Sequence, residues 1–330
     1  MAELYSSWTK GLAQNKEALA IIKGSFFAGI ETINSQGELE LFQKAGLKVS
    51  VHNPIKMVNC ALGNDNLGDE LNKKENAYIL DSMRSADGKA VGFHAYQNTL
   101  SIEAHVRFGK PLSDAFVQDE SLEQIRKKIV KNLLYLEKKI NKGLVNQKKI
   151  LFETQPYMDF TKLKNPMNKV TAQQMVLMRK AGMMSSPEFI PGILDDKKIK
   201  ANKNIGFLFD VVHVFISVKT RIDNNELKED LDSYIAKLID ATRGRVYELH
   251  IACPVKLAEG LYVDDQKELI KGDDLSEQAL KISKQVLLAN PEIKSITLEV
   301  DTNLEPIGHA KKLVQQAELA VKELGLKVEK

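Results

Sequence analysis

The sequence predicts an α/β fold of the (β/α)8 type, a TIM barrel formed as one domain. Short apolar runs of strand length alternate with longer amphipathic stretches along the chain, which is typical of a parallel sheet. Polar residues that could bind metal stand at the carboxyl end of nearly every run. In a barrel these ends converge on one face. We therefore predict a single barrel over 1–330 with its site at that face.

Seven runs are predicted to be strands from their apolar, β-branched and aromatic content. They are 26–32, 47–53, 90–96, 150–156, 205–213, 245–251 and 295–301. A barrel needs an eighth, which we expect either near the N-terminus or at 325–329. A doubly wound sheet stays open as an alternative.

The clearest helix is predicted over 121–144, with Ser121 as its N-cap and Gly143 as its stop. Its apolar face consists of Ile125, Ile129, Leu133, Leu136 and Ile140. A long insertion, at about 155–204, follows the fourth predicted strand and exceeds the usual length of a strand-to-helix connection. Within it, Thr171 is predicted to cap another helix.

Composition limits the cellular location of the protein and the classes of partner it can bind. The chain has 330 residues with 47 basic and 44 acidic side chains, a net charge of +3 that gives no support to a nucleic-acid partner. No apolar run approaches the roughly 18–20 residues that span a bilayer, and the first residues lack the pattern of a secretory signal. We expect a cytoplasmic protein that does not contact a membrane.

The stretch FLFDVVHVFI, residues 207–216, places Asp210 and His213 inside an apolar run. A buried charge costs several kcal/mol unless it is paired or bound to a metal. Similar polar residues end the other predicted strands. The full set is Glu31, His52, His94, Glu153, Asp210, His213, His250 and Glu299.

Any one of these side chains is more often a satisfied core polar group, but their recurrence at one strand position favours a metal site. Imidazole together with carboxylate suits zinc, iron or manganese better than magnesium or calcium. His105 and His309 lie in helical patterns and are interpreted as structural or exposed. Cys253 is interpreted as a small buried thiol.

Seven motifs in order resemble the DUF692 family, the multinuclear non-haem iron-dependent oxidative enzymes. They run from about residue 45 to about 305 and read SVHNP, GFHAY, LFETQPY, LFDVVHVFI, RVYELHIACP, LYVDDQKEL and SITLEVD. The resemblance implies a TIM barrel holding two or three irons. It implies oxidation by molecular oxygen, often at cysteine, of a ribosomally made peptide that a partner protein presents.

The resemblance also implies a ligand set. Its members are His52, His94, Glu153, Asp210, His213, His250, Asp264 and Glu299. Catalysis is assigned to Asp210, His213 and Glu153. The chain departs from the family pattern at Pro254 and Gln266, where the family has His, and at Val300, where it has Arg. Val212 and His213 replace a pair of Asn.

Two other classes of function stay open. The first is a divalent-metal sugar isomerase or epimerase, or an endonuclease-IV-like phosphodiesterase, on the same barrel with zinc or manganese. These barrels share the D-x-x-H pattern of Asp210 and His213. The second is a non-catalytic barrel that binds a partner protein.

Overall fold

A closed barrel of eight parallel strands forms the centre of the protein. The computed structural model describes residues 2–7, 11–32, 38–52, 61–63, 65, 67–73, 77–95, 98–110, 120–302 and 304–329. The barrel strands are β1 Ala2–Ser7, β2 Gly29–Thr32, β3 Lys48–His52, β4 Ala90–His94, β5 Lys149–Glu153, β6 Ile205–Asp210, β7 Val246–Ile251 and β10 Ser295–Leu298. Each strand pairs with the next, and β10 pairs back onto β1. The predicted single-domain TIM barrel is confirmed.

Helices follow the strands and bury their apolar faces against them. They are α1 Lys16–Gly24, α2 Glu38–Lys44, α3 Leu67–Asn72, α4 Ala77–Ser85, α5 Asn98–Phe108, α6 Leu122–Asn141, α7 Ala172–Met184, α8 Phe189–Leu194, α9 Lys197–Lys200, α10 Val211–Asp223, α11 Leu231–Ala241, α12 Asp274–Ala289 and α13 Pro306–Leu324. None of these helices is both long enough and apolar enough to cross a bilayer.

Three short strands complete the described structure. β8 Cys253–Ala258 and β9 Leu261–Lys267 form an antiparallel hairpin directly after β7. β11 Val328–Glu329 pairs with the start of β1. Both places considered for the missing strand are therefore strands, but it is β1 that closes the barrel.

The predicted strand over 205–213 is wrong in its second half. The strand ends at Asp210, whose Oδ1 accepts a hydrogen bond from the backbone N–H of His213 at 2.7 Å and so caps α10. His213 therefore lies in the first turn of a helix. The apolar run continues past Asp210 because α10 is buried on all sides for most of its length, and such a helix cannot be told from a buried strand by periodicity.

The predicted helix starts are confirmed by their caps. Ser121 and Gln124 form a reciprocal capping box at the start of α6, and Thr171 and Gln174 form another at the start of α7. Gly143 follows the end of α6 with a positive φ of 75°, which favours glycine. The region 155–204 holds α7, α8 and α9.

The barrel interior is only partly apolar. Ala90, Leu151 and Leu208 form a small cluster that is separate from the main core between strands and helices. Polar groups share this interior: Ser295 donates a hydrogen bond of 3.1 Å to Glu248 Oε1, and Thr297 Oγ1 lies 3.3 Å from the same oxygen. These groups replace the branched apolar layers usual in this fold. The barrel can therefore surround a charged site.

Replacing Ser121 with Ala should lower the free energy of unfolding by about 1 kcal/mol, because the first turn of α6 loses its capping hydrogen bond. Urea unfolding followed by circular dichroism measures the change. Lys131→Ala, at an exposed site within the same helix, is the control and should change stability by less than about 0.5 kcal/mol. An equal effect of both changes would contradict a specific role of the cap.

Candidate metal centre

Strand register brings the predicted polar residues together at the carboxyl end of the barrel. His94 is aligned with Glu153, and Asp210 with His250, on neighbouring strands. Glu299 follows the last residue of β10 directly. The helix α10 adds His213, and the hairpin strand β9 adds Asp264. All eight predicted ligands therefore lie in one cluster.

Glu153 is the centre of this cluster. Its Oε2 lies 2.9 Å from His52 Nε2 and 2.8 Å from His94 Nδ1. Its Oε1 lies 3.6 Å from Nδ1 of both His213 and His250. The whole residue is only 1% exposed. One buried carboxylate thus holds four imidazoles around itself.

His250 connects Glu153 to a second pair of carboxylates. Its Nδ1 lies 3.2 Å from Glu299 Oε1, and its Nε2 lies 3.3 Å from Glu31 Oε2. Thr297 donates a hydrogen bond of 2.6 Å to Glu31. The imidazole is completely buried. Glu31 is thus part of the cluster, although the family resemblance did not include it among the ligands.

His213 connects Glu153 to the hairpin. Its Nδ1 lies 2.9 Å from the backbone carbonyl of Thr154, so this nitrogen carries the proton. Its Nε2 lies 3.1 Å from Asp264 Oδ2. A histidine fixed in this way presents Nε2 as the nitrogen available to a metal.

The charges of the cluster shift the protonation of its members. Burial alone would lower the pKa of His52, but Glu153 and Glu31 outweigh burial and raise this pKa to about 9. The pKa values of His213 and His250 are also held well above the usual range by their carboxylate neighbours, again against burial. Burial, together with Glu299 and Glu153, raises the pKa of Asp210 well above its usual range. Without a cation, the cluster compensates its carboxylates with protons.

The donor set fits divalent cations. Three groups have ligand atoms within 4.8 Å of one another: His52, His94 and Glu153; Glu31, His250 and Glu299; Glu153, Asp210 and His213. Glu153 Oε2, Asp210 Oδ2 and both ring nitrogens of His250 are buried and lack a hydrogen bond of good geometry. A metal would satisfy these atoms and offset the mutual repulsion of the carboxylates.

Three supporting residues were missed by the sequence analysis. Gln155 Nε2 lies 2.6 Å from His94 Nδ1, and Thr297 bridges Glu31 and Glu248. Glu248 Oε1 also lies 3.8 Å from His250 Nε2. The available signal was the period of two along a strand, since Glu248 precedes His250 by two residues and shares its face.

The residues interpreted as structural lie in other settings. His105 Nδ1 is 2.8 Å from the carbonyl of Lys110, and His309 Nδ1 is 2.8 Å from Thr302 Oγ1. Cys253 is buried and accepts a hydrogen bond of 3.3 Å from Ser276. The departure at Gln266 has a left-handed backbone with a φ of 47°.

Comparison with known proteins supports the fold. No family model matches the chain, and no curated protein does. The chain is similar to the solved structure of 3-keto-D-glucoside 4-epimerase from E. coli, with a TM-score of 0.55 and 13% identity, over 96% of this chain and 100% of that one.

Two further solved structures carry metals. The IOLI protein with a bound zinc atom has a TM-score of 0.57 and 15% identity, covering 98% of each chain. A xylose isomerase-like TIM barrel protein from Mycobacterium smegmatis, in complex with magnesium, has a TM-score of 0.51 and 13% identity. That match covers 94% of this chain and 89% of the other. At these identities the likeness establishes the barrel fold.

Metal affinity should rise with pH between about 6.5 and 9. Below its raised pKa of about 9, His52 is protonated, and a metal must displace that proton to bind the nitrogen. For each proton that the metal displaces, the affinity should rise about tenfold per pH unit. Competition with a chromogenic chelator across this range measures the slope. An affinity independent of pH would show that the imidazoles are already neutral.

Replacing Gly92 with Ala should displace the His52 ring. A Cβ at this position would lie 2.8 Å from His52 Nε2 and even nearer to Cδ2 of that ring. Metal affinity should fall about tenfold or more, as measured by metal analysis after dialysis at fixed free metal. Gly206→Ala is the matched control, since its Cβ would meet the end of Leu151 at 3.0 Å. Equal metal content in both variants would contradict the role of His52.

Proposed function

We propose that this chain is a divalent-metal-dependent enzyme of the sugar isomerase and epimerase type. The observation that carries the proposal is the buried cluster of carboxylates and imidazoles at the carboxyl end of the barrel. The likeness to barrels named as an epimerase and as isomerase-like supports it. This class was an alternative in the sequence analysis, and the peptide oxidase has no such support among the similar structures.

Isomerisation of a sugar moves a proton at a carbon next to a carbonyl group. A bound divalent cation would polarise the substrate oxygens on that carbon and its neighbour. His52, His94 and Glu153 would hold one cation from the barrel side. These residues are buried, so they act by fixing position.

The proton-transfer group must meet the substrate. Glu299 and Asp264 are the more accessible carboxylates of the cluster, with side chains 17% and 11% exposed against 2% for Glu153. Glu299 is also oriented by His250, 3.2 Å away. We assign proton abstraction to Glu299. The catalytic roles predicted for Asp210, His213 and Glu153 from the family resemblance stay predictions.

A second candidate, the multinuclear iron oxidase implied by the family resemblance, is favoured by the number of ligand groups. Three groups adjoin, and two of them share Glu153. The ring centroids of His52 and His94 are 4.7 Å apart, and those of His94 and His213 are 6.2 Å apart. So many donors exceed what one cation needs. The substrate would be a thiol-bearing peptide presented by a partner protein.

Solvent exchange tests the leading proposal. Protein reloaded with manganese, zinc or magnesium should exchange a substrate C–H for deuterium in D2O without oxygen, followed by NMR on a panel of keto sugars. Glu299→Gln should slow exchange at least about 100-fold, with metal content measured in parallel. Glu40→Gln, an exposed site on α2, is the control and should leave the rate unchanged.

Other outcomes of this experiment separate the candidates. Exchange that is unaffected by Glu299→Gln would remove that residue from proton transfer. Absence of exchange with every metal, together with oxygen uptake by iron-loaded protein only when a cysteine peptide is added, would replace the isomerase with the oxidase. If the protein shows neither deuterium exchange nor oxygen uptake and does not hold stoichiometric metal, the non-catalytic, partner-binding barrel is the remaining candidate.

A further inference from the structure

A polar cavity lies at the opposite end of the barrel from the metal centre. It has a volume of about 270 Å³ and is formed where β5, β6 and β7 begin. The side chains that matter here are Lys149, Lys200, Lys203, Arg245, Tyr247 and Glu292. Lys149 and Glu153 stand at the two ends of β5, so the cavity is about 13 Å from the metal centre along the strand.

The cavity brings together several cationic side chains, and most of them lack a carboxylate partner among the described residues. Lys200 has an exposed partner, Asp195, at 3.5 Å. Among the described residues, Lys149, Lys203 and Arg245 have no ion-pair partner. Lys149 instead donates a hydrogen bond to the carbonyl of Lys203, and its Nζ lies 5.2 Å from the centre of the Tyr247 ring.

The charges of Arg245 and Lys203 act on Lys149. Burial lowers the pKa of Lys149, and the charges of Arg245 and Lys203 lower it further. The one carboxylate of the lining, Glu292, has a buried Oε1 without a hydrogen-bond partner and does not pair with any of them. Lys149 and Arg245 are half-buried, so water and salt screen the repulsion between them less than they screen exposed charges. An anion in the cavity would attract each of these cations and so offset the repulsion between them.

We propose that this cavity binds a phosphate group, carried either by inorganic phosphate or by a small phosphomonoester. The Arg245 guanidinium offers paired N–H donors that match phosphate oxygens, and Lys149 and Lys203 add point charges. Gly206 and Gly244 also line the cavity and add no side chains to its walls. Because the metal centre is at the other end of the barrel, the proposal does not depend on the proposed function.

Tyr247 can serve as a neutral donor beside these cations. Burial, with the charges of Glu248 and Glu3, raises the pKa of this phenol to about 12. The hydroxyl therefore keeps its proton at neutral pH and does not add a competing negative charge. The cavity thus contains donors of the three kinds that phosphate sites use, the guanidinium, ammonium and hydroxyl groups.

Calorimetric titration of the full chain with inorganic phosphate and with glycerol phosphate tests the proposal. Ionic strength is held constant with chloride. We expect saturable binding of one ligand per chain and a melting temperature that rises with ligand concentration. Arg245→Gln and Lys149→Met should each weaken binding about tenfold or more. The exposed change Lys203→Ser, which keeps the backbone carbonyl, should weaken it in the same direction without affecting folding.

Lys198→Met is the matched control. This lysine is exposed on α9, beside the cavity but outside its lining, and its loss should leave the affinity unchanged. Absence of saturable binding of either ligand would overturn the proposal, as would equal weakening by Lys198→Met, which indicates unspecific attraction. Unchanged affinity in folded Arg245→Gln would overturn it too. Tighter binding of glycerol phosphate identifies a phosphomonoester as the source, and equal binding identifies the free ion.

Discussion

The contact of Glu153 with four imidazoles is the constraint on which the rest of the structure depends. A carboxylate buried this deeply is tolerated only when opposite charge surrounds it. The pKa of Glu153 is accordingly held well below its usual range by His94 and His52, against the effect of burial. The four histidines come from β3, β4, β7 and α10, so the barrel must close in this register for the cluster to form.

The sequence predicts the fold well because each strand ends in a polar residue that breaks the apolar run. Prediction fails where this signal is missing. β1 has few aliphatic residues in AELYSS and is recognised only by its pairing with β2 and β10. The predicted strand continues to 213 because Val211 and Val212 are apolar, and they are apolar because α10 buries them as deeply as β6 buries its own residues. The turn at Asp210 depends on a side-chain cap that composition does not reveal.

The candidate site was predictable to the extent that it lies at strand ends. Two of the supporting groups lie two residues away from a strand-end residue, Glu248 on the inner side and Gln155 on the outer side. Glu248 is buried beneath His250, and Gln155 reaches back to His94 from beyond the end of β5. The sequence alone does not show which of two polar residues on one strand face binds the metal and which orients the metal ligand. Asp264 reaches the cluster only because the hairpin of β8 and β9 places it next to His213. That tertiary contact cannot be derived from local sequence patterns.

Carboxylates gather at one end of the barrel and the uncompensated cations of the cavity at the other, and helix dipoles account for only part of this arrangement. In a parallel barrel the helices begin at the carboxyl ends of the strands, where their positive N-termini favour carboxylates. Asp210, at the start of α10, is such a case. Cations are favoured at the other end by about 0.3–1 kcal/mol each. That gain falls off within one turn and does not remove the repulsion between Lys149 and Arg245. An anion bound in the cavity, as proposed, would offset the repulsion that the dipoles leave.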